Sequence, residues 1–532
     1  MTVTTAAPDR QGTRAGHGSF TDLLHAEWTK FRTVRGWVIG MVVAALVIVL
    51  VGLLSAAGSH TSCNGGPCRF LYPVGPGGEA VTDSFYFVHR PLADHGSITA
   101  RVTSLTGLLP TASSGRVRAG QSPQSGMHSG LEPWSKAGLI IKASTREGSA
   151  YAAMMVTGRH GVRMQYDYTH DVAGLSGAVT AASPRWLRLT RAGDTVTGYD
   201  SADGKHWTLV GTATLPGLPS TVPAGLFATS PAYSVTTAQG LLGISGTGGP
   251  TLATAVLDHV SLHGGRPAGG WSGTAIGGGP RAAYPVQGGG YHQAGGRFTV
   301  TGSGDIAPDT PGGAGPGQTV DHTLVGAFVG LIAVVVVGTM FITAEYRRDL
   351  IRTTFAATPR RGQVLAAKAI VIGSVTFAAA LAAAAVAVPL SSRVLSDNGN
   401  YLYPVTPLTE VRLVVGTAAM LAVAAVLALA IGALVRRSAI AVTVVIVAIV
   451  LPYLISVTNL LSTGADQWLL RLAPAAAFSI QQTIPNYPQV SNVCSVGGGC
   501  YPLAPWAGFA VLCAWAAAAL GLAMVLVRRR DA

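Results

Sequence analysis

Predominantly apolar runs of more than twenty residues occur at six places: 36–57, 322–344, 365–389, 412–435, 438–460 and 505–527. A helix needs about 20 such residues to cross a bilayer core of about 30 Å, so the pattern predicts six transmembrane helices. The first run, Gly36 to Ala57, has no charge inside. A removable leader would be shorter and nearer the start. Ionisable side chains are all but absent from the runs, which disfavours an ion-coupled carrier, because its relay would need them.

Between the first two runs the period changes from helical to two. Short β-rich stretches, several of them alternating apolar and polar residues, lie at 85–91, 97–104, 137–144, 151–157, 162–168, 186–191, 195–201, 206–211, 224–229 and 256–262, with Gly, Pro and Ser between them. They predict half-buried antiparallel strands. An all-β sandwich of jelly-roll type over 58–307, inserted between helices one and two, is the expected architecture. Ser201 to Lys205 reads as a tight turn, with Gly204 taking a positive φ. The Gly- and Pro-rich segment 308–320 is expected to be a flexible linker. Segment 1–18 is polar and expected to be a disordered tail, and 321–532 carries helices two to six.

Ahead of the first run, residues 19–35 read SFTDLLHAEWTKFRTVR. Phe20, Leu23, Leu24, Trp28 and Phe31 recur at steps of three and four, which is one face of a helix. Ser19 and Asp22 fit a capping box. The expected element is an amphipathic interfacial helix lying on the bilayer, with Trp28 at headgroup depth. The alternative is an extension of the first span.

Charge fixes an orientation. Charged residues are only 11%, against about 25% in soluble chains, which excludes an all-soluble protein. The 36 Lys and Arg outnumber the 23 Asp and Glu by 13. Segments 1–35, 345–368, 436–437 and 528–530 hold most of that excess, while 390–412 and 461–504 hold few basic residues. The inside bias of Lys and Arg then places both termini in the cytoplasm and 58–320 outside, in a multi-pass plasma-membrane protein. The net charge is an orientation signal, and a nucleic-acid partner is not expected.

Cys63, Cys68, Cys494 and Cys500 all fall on the outer side and form two closely spaced pairs. Disulfides are the favoured reading and a metal site the rival, although no His sits at ligand spacing beside them. Cys513 reads as a packing residue in the last span. Catalysis finds little support. Sandwich glycosidases need two carboxylates across a cleft, and Glu132, Glu147, Asp200 and Asp203 make no such pair. Trp186 and Trp207 head apolar strands and read as core; Trp134, after a Pro in a loop, is the candidate glycan contact. No cofactor is expected.

Four stretches carry a resemblance. EWTKFRTVRGW before the first span and EYRRDLIRTTFAATPRRGQVLAAK after the second resemble ABC transporter permeases of the type-2 exporter class. WLLRLAPAAAFSIQQTIPNYPQ and the closing RRR are similar to the same class. The resemblance implies a permease moved by a separate ATPase subunit, and either a homodimer or a pair with a sister permease. It implies a cytoplasmic coupling loop over 345–363, with Glu345, Arg347, Arg348, Arg352, Pro359, Arg360 and Arg361 as contacts. It also implies outward re-entrant helices between the fifth and sixth spans, for which 465–484, broken by Pro474, is the fit. The chain has no G-x-x-x-x-G-K-[ST] phosphate loop of its own.

The β-rich insert departs from that class, whose first outer loop is short. FYFVHRPLADHGSITARV, PWSKAGLIIKAS and PRWLRLTRAGDTVTGYDSADGKHWTLVG resemble concanavalin-like, laminin-G-type sandwich modules. Segment 271–308 resembles the opening strands of another such module; it is either a truncated copy or a completing edge of the first. The insert is expected to meet envelope glycan or cargo. The alternative function is a membrane-anchored glycan-recognition protein without transport.

Overall fold

The computed structural model describes residues 19–63, 66–67, 72–110, 127–239, 243–265, 270–277, 289–311, 317–347, 361–458, 461, 463–490 and 496–530. Among the described residues, six helices are long and apolar enough to cross a membrane. The α-helices among the described residues are α1 (Phe20–Thr33), α2 (Arg35–Gly58), α3 (Gly326–Arg347), α4 (Arg361–Asp397), α5 (Pro407–Val435), α6 (Ser438–Val457), α7 (Thr463–Leu472) and α8 (Pro505–Arg530).

Helix α1 starts where Ser19 N–H donates to Asp22 Oδ2 at 2.8 Å. It ends at Val34, whose backbone is extended (φ −86°, ψ 96°). That break makes α1 an element separate from the first span. Small residues let the spans approach. A Cβ on Gly326 would run into the carbonyl oxygen of Ile48 in α2, and one on Gly338 would lie 2.7 Å from that of Ala425 in α5. Close backbone contact of this kind is how helices pack where water supplies no driving force. Helix α4, at 37 residues, is about 55 Å long and so outreaches a 30 Å hydrocarbon core.

All but one of the described strands lie, in chain order, between α2 and α3. Most of them form a large, mostly antiparallel sheet that curls towards a barrel, and the others pair in two-stranded sheets. In chain order the strands are β1 (Val81–Asp83) and β2 (Phe85–Pro110), followed by β3 (Met127–Ser129), β4 (Lys136–Lys142), β5 (Tyr151–Thr157), β6 (Val162–Tyr166) and β7 (His170–Ala173). Then come β8 (Arg185–Ala192), β9 (Thr195–Ser201), β10 (Thr208–Thr214) and β11 (Thr221–Thr229). The set closes with the hairpin β12 (Tyr233–Gln239) and β13 (Gly243–Gly249), then β14 (Leu252–Gly265), β15 (Ser272–Ile276), β16 (Gly290–Ala294), β17 (Arg297–Gly302) and β18 (Ile306–Pro308).

The organising element is β2. Residues 85–91 and 97–104 read as two strands, yet they are one. The expected break is the place where the strand changes partners: 86–93 pairs with β11, and 95–102 pairs with β8. Gly96 is needed there, because a Cβ would meet the His263 carbonyl oxygen and Leu92. The stretch 271–308 is not a separate module among the described residues: β15 pairs with β2, and β17 pairs with β14. The turn after β9 forms as expected, with Gly204 at φ 74°.

One face of the sheet buries Val88, Leu139, Met154, Leu187 and Leu226. Burial of such side chains contributes about 1.5–3 kcal/mol each. The other face buries Phe85, Phe87, Ile140, Tyr151 and Phe227 against Val81 and Ile306 of a two-stranded ribbon, β1 with β18. That ribbon is where the chain enters and leaves the domain. Lys142 Nζ reaches Asp83 at its β1 side at 2.7 Å, and Lys136 Nζ reaches Asp305 beside β18 at 2.6 Å. Both lysine side chains are fully buried.

The linker expected over 308–320 is hydrogen-bonded at both of its described ends. Ile306–Pro308 pairs with β1, and β19 (Gly317–Gln318) pairs in parallel with β20 (Tyr401–Leu402).

Candidate functional site

At the end of the bundle away from the sheet, four charged side chains meet. Lys368, on the first turns of α4, is fully buried; its Nζ donates to Glu27 Oε2 at 2.6 Å and to Glu345 Oε1 at 2.7 Å. Lys30 Nζ donates to Glu27 Oε1 at 2.7 Å and to Glu345 Oε1 at 3.3 Å. Burial works against the Lys30 ammonium, but its hydrogen bond to Glu27 and the nearby Glu345 charge outweigh this and raise its pKa. Two carboxylates and two ammonium groups thus tie α1 to the end of α3 and the start of α4.

Rings close the site: Trp37 and Phe341 meet edge-on at 4.9 Å, Phe31 and Phe341 at 5.8 Å, and Lys368 Nζ lies 4.7 Å from the Phe341 ring centre. Low exposure of this kind makes each ion pair depend on the others, because an unpaired buried charge is costly.

Of the sequence candidates, Glu345 is in this network, and Glu345 Oε2 has no partner among the described residues. Arg347 closes α3 and Arg361 opens α4, so both belong to helices rather than to the expected loop over 345–363. Arg361 Nη1 donates to the Val527 carbonyl at 3.5 Å. Arg348, Arg352, Pro359 and Arg360 lie outside the described residues. On α1, Phe31 is buried, Phe20, Leu23 and Leu24 are half-buried, and Trp28 is exposed. Glu27 and Lys368 were missed. Glu27 sits on the apolar face that the pattern assigned to lipid, and the expectation of spans without ionisable groups passed over Lys368. Their spacing against Glu345 gives no signal along the chain.

In the β domain, Trp134 corrects an expectation. It is 6% exposed, and its ring is stacked on His160 at 3.9 Å with Arg163 on it at 5.8 Å. Its faces are covered and offer no sugar platform. Trp186 and Trp207 are half-buried rather than core, because arginines cover them: Arg188 lies 3.9 Å from the Trp207 ring centre, and Arg101 lies 5.6 Å from that of Trp186. Arg101 is itself paired to Asp258 at 2.7 Å, which holds that carboxyl at about 2. Cys500 is disulfide-bonded. The side chains of Cys63, Cys68 and Cys494 lie outside the described residues. No metal-ligating cluster occurs among the described residues.

At the other end of the bundle, Asp309 sits where the β domain meets the helices. Tyr403 O–H donates to its Oδ2 at 3.2 Å, and Tyr72, Tyr401 and Tyr403 form one aromatic cluster. Burial pushes the Asp309 carboxyl up to about 6, against the hydrogen bonds from Tyr403 and the Thr310 backbone. A raised carboxyl stabilises the junction below the unfolded value near 4, and that contribution is lost as pH rises through about 6. Asp309→Asn is therefore expected to raise stability at pH 7.5 by about 2–3 kcal/mol and to flatten its pH dependence. Thermal midpoints of both chains at pH 5 and pH 7.5 check this; an equal pH response in the two chains contradicts it.

No family model matches the chain, and no curated protein does. Among solved structures, it is similar to the GH43 protein BlXynB of Bacillus licheniformis at 12% identity and a TM-score of 0.18, covering 32% of this chain and 28% of that one. A functionally unknown protein from Saccharomyces cerevisiae shares 17% identity over 40% of this chain and 94% of its own, with a TM-score of 0.20. Scytalido-glutamic peptidase with a transition state analog inhibitor shares 6% identity over 42% of this chain and 98% of its own, with a TM-score of 0.25. None of these likenesses assigns an activity to the chain. What stands is a protein with six apolar helices able to span a membrane and a large antiparallel β domain.

Proposed function

We propose that the chain is the membrane-spanning permease subunit of an ATP-binding-cassette exporter, driven by a separate ATPase, with the β domain a jelly-roll, concanavalin-like sandwich on the outer side. Both termini and the segment 348–360 face the cytoplasm of a plasma membrane in this reading, and α1 lies at the inner lipid surface. A second copy of the chain or a sister permease completes the pathway.

The observation that carries the proposal is the network of buried Glu27, Glu345 and Lys368 with the more exposed Lys30. It joins an amphipathic helix to both helix ends that flank 348–360. A push on that segment is therefore delivered to α1, α3 and α4 together. A protein that merely anchors an outer recognition domain has no use for such a joint, and the covered Trp134 removes the sugar contact that reading relied on.

Purification of the full-length chain in mild detergent is expected to bring with it an ATPase that carries a phosphate loop. Glu345→Ala is expected to weaken that association or to uncouple ATP turnover from efflux. Repeated isolation of the chain with no ATPase overturns the proposal.

A further inference from the structure

The β domain is joined to the helices by the chain at two points, after α2 and before α3. A domain hung freely from the membrane would need nothing more, yet it also touches loops remote in sequence. Gln489, in the loop between α7 and α8, is 1% exposed. Its Nε2 donates to the carbonyl oxygens of Tyr168 at 3.3 Å and Thr169 at 3.1 Å. Asp309 and β19 engage Tyr401 to Tyr403, in the loop between α4 and α5. Thr483 Oγ1 donates to Asp321 Oδ1 at 2.9 Å, at the start of the helical segment that follows the β domain. Thr310 and Pro311 share a small cleft with Tyr487, Val490 and Gly499.

The socket for Gln489 is stiff. Asp167 and Tyr168 hold φ at 43° and 61°, left-handed values that ordinary residues adopt only when their surroundings impose them. The Tyr168 ring is fully buried, and its hydroxyl donates to Asp83 at 2.8 Å. Asp83 in turn holds Lys142 and belongs to the ribbon. A continuous path of packed and hydrogen-bonded groups therefore runs from the α7–α8 loop into the domain's foundation.

We propose that the β domain is a strap across the outward ends of the helices: it ties the α4–α5 loop to the α7–α8 loop, and the contact of Gln489 with Tyr168 and Thr169 opens when those helix ends part during transport. The proposal rests on the permease reading. Its physical ground is that packed contacts of this sort have discrete docked and undocked states rather than stretching continuously.

The test uses the full-length chain with Thr169→Cys and Gln489→Cys, purified with its accompanying ATPase and treated with a short bismaleimide. Each single-cysteine variant and the wild type, which carries free Cys513, receive the same treatment. The double variant is expected to cross-link and to lose its transport-linked ATP turnover, while the controls keep theirs. Untreated Gln489→Ala is expected to speed hydrogen exchange at Tyr168 to His170 without lowering turnover. A complete cross-link with turnover unchanged overturns the strap and leaves the permease standing. No cross-link, together with unchanged exchange in Gln489→Ala, overturns the docking itself. Absence of any ATPase overturns the permease and the strap together, while the cross-link still reports whether the domain is docked.

Discussion

Replacing Lys368 by methionine is expected to destabilise the chain by about 3–5 kcal/mol, the cost of leaving buried carboxylates without their cation. Lys368 is the only one of the two ammonium groups that is fully buried, and it bonds both Glu27 and Glu345 at under 3 Å. Lys30→Ala is expected to cost under about 1 kcal/mol, because that side chain is 39% exposed and water screens its loss. The triple change Glu27→Gln, Glu345→Gln and Lys368→Met removes every deeply buried charge and is expected to recover most of the loss. If the proposed permease reading holds, it should nonetheless uncouple the partner ATPase, since polar amides against an apolar side chain do not hold three helices in one arrangement. Thermal unfolding of the detergent-solubilised chain, followed by tryptophan fluorescence, reads all of these. A Lys368→Met midpoint equal to that of Lys30→Ala would mean that the network does not organise the joint.

The second large effect lies in the β domain. Lys142→Met is expected to cost about 3–5 kcal/mol, because Asp83 then stays buried with its charge uncompensated. Asp83 also accepts from Gly148 N–H and Tyr168 O–H, both at 2.8 Å, so it cannot swing out to water without breaking the ribbon. Burial lowers the Lys142 pKa, with the charge and hydrogen bond of Asp83 opposing that shift. Pairing Lys142→Met with Asp83→Asn removes both charges and is expected to restore most of the stability. Protease resistance of the β domain within the full-length chain measures the series, with cleavage at residues 81–83 and 305–308 as the early event in the single variant. Wild-type resistance in Lys142→Met would show that the ribbon is held by its apolar contacts alone.

How much of this was legible follows from what each feature depends on. The spans were readable because a bilayer demands a local property, a long apolar run, and the six runs match six helices. The Asp22 cap was readable as a local pattern, and the interfacial helix expected over 19–35 ends close to its bound, at the extended Val34. The strands were mostly readable from alternation, yet β2 was read as two. Its continuity comes from partners on both sides, β8 and β11 among them, which sequence-local signals do not contain. The hairpin of β12 and β13 was missed, since its Thr, Ser and Gly give little apolar alternation. The burial of Lys136 and Lys142 has no local signal, because both are covered by a ribbon whose halves lie more than 200 residues apart. The charged joint is the same case: Glu27, Glu345 and Lys368 come from three helices, and only tertiary packing brings them together. Trp134 misled for the opposite reason. A Pro–Trp step reads as an exposed loop, but His160 and Arg163 arrive from a neighbouring hairpin to cover it.

The pairing of β1 with β18 has one more consequence. Because the first and last strands of the domain lie side by side, its two ends are separated by no more than a strand spacing, about 4.8 Å. A body with neighbouring termini is portable: it can be cut out and the gap sealed by a short hairpin without dragging α2 away from α3. The helical scaffold and the β domain are thus expected to be separable, and a chain lacking residues 84–304 should still form the bundle.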